Sequence, residues 1–331
     1  MRTNAIVWRL GAVIVAAVVV GGGCAVSRQP PGQASSVTTS SRPTTTTPPT
    51  TVSVAASPRA GRIVFSAGPA HAEDIYVVNA DGSGLKQLTS DPAAEFDPAW
   101  SPDGRRVAYR HQTGDDATAE IYVMNADGSG QRNLTNNSVA EWGPAWSPDG
   151  KLIAFGSGRD SPEMRLYVIQ PDGTGVRRLG DIDGEYPAWS PDGTRIAFAS
   201  LDGAVGGSPD FNIYVMNANG TGVRRLTDSP SQDDWPAWSP DGTRIAFASA
   251  RDDQGQGQSL GPTLHLYVMR ADGSGQTRLT DAFAQFAAWS PDGRDILFSP
   301  GLTIMGADGS GATRLAVSGV PGEPEFPDWI S

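Results

Sequence analysis

The chain predicts an all-β fold, a six-bladed β-propeller of four-stranded antiparallel blades, and three observations predict it. The first is the phrase Ala-Trp-Ser-Pro-Asp-Gly, which begins at Ala99, Ala145, Ala188, Ala237 and Ala288 and returns in broken form as Asp328-Trp329-Ile330-Ser331. The second is spacing. The tryptophans at 100, 146, 189, 238, 289 and 329 lie 46, 43, 49, 51 and 40 residues apart, within the period of about 40 to 50 residues that propeller blades take. The third is that each period holds four short strand-like runs with no competing helical period.

One repeat shows how each element arises. Strand a, over 187–190, ends at Pro-Asp-Gly, whose Asp-Gly pair readily takes the positive φ of a tight hairpin. Strand b, over 195–200, reads Arg-Ile-Ala-Phe-Ala-Ser and alternates large and small apolar residues, as a packed strand should. Strand c, over 213–217, is β-branched and aromatic, and Asn219-Gly220-Thr221-Gly222 turns it into the polar strand d over 224–227. The other repeats write that turn as Asp81-Gly82-Ser83-Gly84, Asp127-Gly128-Ser129-Gly130, Asp172-Gly173-Thr174-Gly175, Asp272-Gly273-Ser274-Gly275 and Asp308-Gly309-Ser310-Gly311. These turns are structural.

Ring closure follows from what each end lacks. The repeat ending at Ser331 has an a strand without b, c and d, and Arg62-Ile63-Val64-Phe65-Ser66 is a b strand with no a strand before it. The C-terminal strand, near 326–331, is expected to become the innermost strand of the blade spanning 63–89, leaving no open sheet edge.

The Trp-Ser-Pro-Asp-Gly grammar resembles the WD40-like (PD40) repeat of the TolB-like β-propeller family, over 61–331. The resemblance implies the propeller. It leaves function open, because such propellers serve as protein-binding platforms, as gating domains of peptidases and as sugar lyases. Periplasmic TolB carries a small α/β domain ahead of its propeller, so partners of the Tol system do not carry over.

Residues 1–24 read as a secretory signal peptide: Arg2 and Arg9, an apolar run over 10–20, then Gly21-Gly22-Gly23-Cys24. A run of that length is short for a membrane-spanning helix. Cys24, the one cysteine, sits where a lipobox places its acylated thiol, although Gly21 stands where an aliphatic residue is usual. A lipoprotein form is the expectation, with an ordinary secreted protein or an uncleaved anchor as alternatives. Residues 25–60 are rich in Ser, Thr and Pro and contain no acidic residue, so they cannot bury a core and read as a disordered stalk. Such a stalk would average about 30 to 35 Å and reach about 120 Å extended.

All 36 acidic residues lie at or beyond Glu73, while five basic ones precede residue 61, so the propeller carries 36 acids against 20 bases, a net of −16. That balance argues against nucleic acid and against anionic lipid as partners of the propeller. The b-to-c loops vary from three residues at 299–301 to sixteen at 250–265, with another long one at 199–212. Variable loops on a rigid scaffold are where binding usually resides.

Just before strand a, an acid is followed by an aromatic in Glu95-Phe96, Glu141-Trp142, Glu185-Tyr186, Asp234-Trp235 and Glu325-Phe326, with Gln285-Phe286 as the exception. Strand a lines the channel, so these residues are expected to ring its mouth, where carboxylates beside aromatic planes suit a cationic group, a basic peptide or a sugar. The blander role is packing between blades for the aromatics and turn or solvent positions for the acids. Arg159-Asp160 and Arg251-Asp252 follow b strands at equivalent places and are expected to pair internally at the rim.

Chemistry has little to build on. His71, His111 and His265 all fall in b-to-c loops; His71 and His111 with Glu95 could form a metal site, but three surface histidines is the preferred reading, and no metal or cofactor is assigned. No Gly-x-Ser-x-Gly elbow lies on a strand-to-helix turn. The expected protein is therefore no enzyme but a monomeric binding or scaffold module, lipid-anchored outside the cytoplasm in a bacterial envelope, whose partner is an envelope protein. The alternative is a carbohydrate-active propeller, either a wall-glycan binder or a metal-assisted lyase.

Overall fold

The computed structural model describes residues 59–114, 118–161, 163–201, 211–253 and 263–331. The signal-peptide and Cys24 expectations and the stalk up to residue 58 lie outside them, as does most of the long loops at 199–212 and 250–265. Blade 1 contributes β1 (Arg62–Ala67), β2 (Asp74–Asn79) and β3 (Lys86–Gln87). Blade 2 is β4 (Ala94–Trp100), β5 (Arg106–Gln112), β6 (Ala119–Asn125) and β7 (Arg132–Asn133). Blade 3 is β8 (Glu141–Trp146), β9 (Ile153–Ser157), β10 (Arg165–Ile169) and β11 (Arg177–Asp183). Blade 4 is β12 (Glu185–Trp189), β13 (Arg195–Ser200), β14 (Asn212–Asn217) and β15 (Arg224–Arg225). Blade 5 is β16 (Asp233–Trp238), β17 (Arg244–Ser249), β18 (His265–Arg270) and β19 (Thr277–Arg278). Blade 6 is β20 (Gln285–Trp289), β21 (Asp295–Ser299), β22 (Thr303–Gly306) and β23 (Thr313–Arg314).

The last strand, β24 (Glu325–Ile330), pairs antiparallel with β1 through Arg62↔Ile330, Ile63↔Trp329 and Val64↔Asp328, so blade 1 is built from both ends of the described chain. The ring closes as the broken sixth repeat predicts. Among the described residues, no helix is long and apolar enough to cross a membrane.

The repeated phrase does its work in the turns. Asp103 Oδ1 accepts from the Ser101 hydroxyl at 2.6 Å and from the Arg105 N–H, while Ser101 Oγ accepts the Arg106 N–H at 2.9 Å. The glycine between them takes a positive φ of 64° that a side chain would strain. The same bonds recur at Ser147/Asp149, Ser190/Asp192, Ser239/Asp241 and Ser290/Asp292. The serine hydroxyl bond is the main reason that Asp149, Asp192 and Asp241 are pulled down to about 2.

The core is divided among the joints between blades. Among the described residues there are six apolar clusters, and each draws on two adjacent blades, from Val64, Ile75 and Trp100 between blades 1 and 2 around to Phe65, Ile304 and Trp329 between blades 6 and 1. Strand b is therefore covered on both faces. In β13, Ile196 and Phe198 face blade 3 while Ala197 faces blade 5, which is why the sequence alternates large and small. Four joints are also clasped by an arginine over the next blade's tryptophan: Arg62 on Trp100, Arg106 on Trp146, Arg195 on Trp238 and Arg244 on Trp289, at 4.5 or 4.6 Å.

Candidate functional site

Two cavities lie on the axis and share Pro187, Pro236, Ala287, Pro327 and Asp328, so they are two chambers of one channel. The wider, about 350 Å³, is lined by Trp100, Trp146, Trp238, Trp289 and Trp329 at the ends of the a strands. The narrower, about 190 Å³, lies at their beginnings, the end that also carries the b-to-c loops, and is lined by Asp97, Gly143, Tyr186, Trp235, Phe286 and Phe326.

A single backbone device builds the narrow chamber. All six pairings of strand a with strand b slip register just before the tryptophan. At each slip one residue takes a left-handed conformation: Asp97 (φ 51°), Gly143 (60°), Tyr186 (48°), Trp235 (51°), Phe286 (52°) and Phe326 (48°). These are β-bulges, which bend a strand and re-aim a side chain. Glycine occupies one of them at little cost, whereas a non-glycine residue held there costs about 1–3 kcal/mol.

The acid–aromatic pairs thus lie within strand a, not before it, and they are not equivalent. In blades 4, 5, 6 and 1 the bulged residue is itself aromatic; in blades 2 and 3 the aromatic, Phe96 or Trp142, stands one residue earlier and Asp97 or Gly143 takes the bulge. The six rings nevertheless form one arc. Successive centroid separations are 6.1 Å for Phe96–Phe326, 3.9 Å for Phe326–Phe286, 4.5 Å for Phe286–Trp235, 5.7 Å for Trp235–Tyr186 and 6.3 Å for Tyr186–Trp142.

Between Trp142 and Phe96 the gap is filled by a residue that the sequence reading did not single out. The Arg110 guanidinium carbon stands 4.4 Å from the Phe96 ring centre and 5.2 Å from that of Trp142, and Arg110 pairs with Asp97 at 3.4 Å. On β5 it holds the sheet position that Gly156, Ala199, Ala248, Ser299 and Ser66 hold in the other blades. Laying the six b strands side by side would have exposed it as the one large, charged residue in a column of small ones.

The carboxylates do not stand at the mouth as a displayed acidic ring. Glu95 and Glu141 are 0% exposed, Asp234 is 3% and Glu325 is 9%. Glu185 is half-buried, and Glu95 and Glu141 turn to His111 and Ser157 of the neighbouring b strand. Glu141 pairs with Arg159 and accepts from Ser157 at 3.1 Å. In blade 5 the equivalent acid is Asp233, 2.9 Å from Arg251, rather than Asp234. Arg159 and Arg251 lie over Tyr167 and Tyr267, whose hydroxyls donate to Asp160 and Asp252. The two Arg-Asp pairs do pair internally, each with a strand-a acid and a strand-c tyrosine.

Burial, then the nearby Asp234 and Asp183, pushes Glu185 up to about 8, and burial with Glu73 and Glu323 does the same for Glu325. Burial lifts Glu95 to about 7 against the opposing pull of His111 and Thr89. Each of these carboxyls binds its proton more tightly folded than unfolded. Their contribution is intact below the ordinary value of about 4.5 and is lost as pH rises through 7 to 8, where a buried carboxylate must ionise. The turn aspartates act oppositely and lose their contribution as pH falls toward 2. Stability is therefore expected to peak near pH 5 and to decline toward pH 9. Glu185→Gln should raise the pH 9 melting temperature by about 2–6 °C and leave pH 5 nearly unchanged, which calorimetry at both pH values checks.

The three histidines part company. His265 is 6% exposed and bonds the Ala282 carbonyl region through Nδ1 at 3.2 Å, while His71 is exposed in its loop. His111 meets Glu95 at 3.0 Å, as the sequence allows, but the third member of that group is Asp91, not His71.

Comparison with known proteins places these observations. Residues 56–202 match the family described as the Tricorn protease N-terminal beta propeller domain, and residues 180–260 match the TolB beta propeller domain. The Tol-Pal system protein TolB of Anaeromyxobacter dehalogenans is 46% identical over 44 residues, 13% of this chain and 10% of that protein. Dipeptidyl-peptidase 5 of Porphyromonas gingivalis is 44% identical over 41 residues, 12% of this chain and 6% of that one. Both matches therefore span a small part of the relatives' length. The crystal structure of TolB from Acinetobacter baumannii superposes with a TM-score of 0.68 at 23% identity, over 81% of this chain and 66% of that one.

Proposed function

From the premise that the chain is a TolB-like six-bladed β-propeller, we propose that it is a protein-binding module of the bacterial envelope that uses the aromatic end of its channel. In this reading Cys24 carries a lipid on the outer side of the cytoplasmic membrane or in the periplasm, the 25–60 segment is the stalk, and the monomeric propeller 61–331 receives a segment of an envelope protein. The names of the TolB relatives, which belong to a Tol-Pal system, support an envelope partner in kind, although the partner itself is a separate matter.

The observation that carries the proposal is the arc of six aromatics with Arg110 in its gap. Four of those aromatics sit on left-handed bulge residues, Tyr186, Trp235, Phe286 and Phe326, each held there at a cost of about 1–3 kcal/mol. Phe96, Trp142, Tyr186, Trp235 and Phe326 remain partly exposed. Burial pushes Glu185 and Glu325 up and disfavours their charge, so apolar and indole contacts would carry recognition, with Glu95, Glu141 and Asp234 fixing the shape of the mouth from behind.

A photo-crosslinking phenylalanine analogue placed at Trp142 or Trp235 in the full chain, in its native envelope, tests this. A discrete protein adduct at either position, absent when the analogue replaces Val176, which is 39% exposed, is the expected result. Adducts that form equally at 176, or none at the mouth, would remove the proposal. The second reading is a glycan binder. It is favoured by the unpartnered indole N–H groups of Trp142 and Trp235 among tilted and edge-on rings, and retention on wall glycan that Trp235→Ala abolishes would move it ahead.

A further inference from the structure

Blades 2, 3 and 5 each bury a carboxylate at the same place on strand a, and its cross-strand partner on strand b is His111, Ser157 or Ser249 respectively. In blades 3 and 5 the cation that answers this acid comes two residues further along the chain: Arg159 to Glu141 and Arg251 to Asp233. Blade 2 holds Thr113 at that point, so Glu95 has no guanidinium although it is 0% exposed. Its Oε2 is buried without a hydrogen bond of normal geometry.

Two other changes accompany the lost arginine. The serine becomes His111, whose Nδ1 lies 3.0 Å from Glu95 Oε1, and Asp91 from the d-to-a connection brings Oδ2 to 4.0 Å from the same nitrogen. All three donor atoms lie within 4.8 Å of one another. Separations of 3.0 and 4.0 Å can be bridged by one ion with ligand distances of about 2.0–2.2 Å. The His111 side chain is 14% exposed and that of Asp91 39%, so a bound ion would keep an open side for water.

We propose that Asp91, Glu95 and His111 bind one divalent cation of the zinc class, which takes the place that an arginine fills in blades 3 and 5. An imidazole nitrogen with two carboxylates suits zinc rather than calcium or magnesium, which favour all-oxygen shells. The ion would brace β4 to β5 one residue from Phe96 and Arg110, where the aromatic arc closes.

Chelator-treated full chain titrated with zinc chloride in a calorimeter provides the test, with a thermal melt of each variant alongside. The parent is expected to take up one equivalent and to melt higher with zinc than without. Asp91→Asn, a change at an exposed residue, should weaken binding at least about tenfold. The double variant His111→Ser/Thr113→Arg writes the blade 3 grammar into blade 2 and should melt cooperatively without zinc and bind none. His71→Ala should bind as the parent does. No saturable uptake by the parent, binding by Asp91→Asn as tight as the parent's, any uptake by the double variant, or uptake lost in His71→Ala would each overturn the assignment.

Discussion

A chain that ends at Pro324 is expected to be unfolded at 25 °C. The truncation removes β24, and with it the strand that pairs along β1 from Arg62 to Ser66. Trp329, 7% exposed in the joint between blades 6 and 1, is lost from a cluster that includes Ile63, Phe65, Leu297 and Ile304. Removing a buried tryptophan alone costs about 3–5 kcal/mol, against a total stability of about 5–15 kcal/mol for a typical domain.

The strand's other bonds go too. Asp328 Oδ2 accepts the Trp100 N–H at 2.7 Å and the Trp329 indole donates to the Ala60 carbonyl at 3.1 Å. In a ring where each blade contacts only its two neighbours, no other surface can cover the exposed faces. Far-UV circular dichroism and a thermal melt check the outcome. A cooperative transition in the truncated chain would show that closure is dispensable. Trp329→Ala in the full chain should fold but melt well below the parent.

The second large effect is expected at Arg251→Met. The substitution keeps an unbranched side chain but strips the guanidinium from over Phe247 and Tyr267 and from Asp233, which is 0% exposed. Breaking a buried pair on one side costs about 3–5 kcal/mol, mostly the penalty of the stranded charge. At about 2–4 °C per kcal/mol for domains of roughly this size, the melting temperature at pH 7 should fall by about 6–20 °C.

Two controls separate that penalty from lost packing. The loss should shrink as pH falls, because burial already raises Asp233 and a protonated carboxyl needs no cation. Adding Asp233→Asn should restore most of the stability, since both charges are then gone. A single variant that melts within a degree or two of the parent would mean that the pair is replaceable by water.

The fold was legible in the sequence because its information is local and repeated. Ser-Pro-Asp-Gly encodes a turn through hydrogen bonds among four consecutive residues and the two that follow, and Ile-Ala-Phe-Ala encodes a strand sandwiched between two blades. Neither depends on distant partners, so five copies announce six blades. Closure was equally legible, because a b strand without an a strand and an a strand without a b strand have one mutual solution.

The channel end was legible in composition and illegible in arrangement. Flagged aromatics line the narrow chamber while the flagged acids do not, because a bulge of one residue decides which side chain enters the channel and which turns into the blade. Shifting a strand by one residue exchanges its two faces, so Glu95-Phe96 and Glu185-Tyr186 look alike in sequence and differ in space. Arg110 completes the ring only because Phe96 and Trp142 belong to adjacent blades, and Asp91 meets His111 only because a d-to-a connection folds over β5. Short-range bonds specify the blades, their number and their closure, so residue order suffices to read them. Which charges are buried, which are answered by arginine and which rings meet on the axis rest on register and on contacts between blades, and these arise with the folded ring.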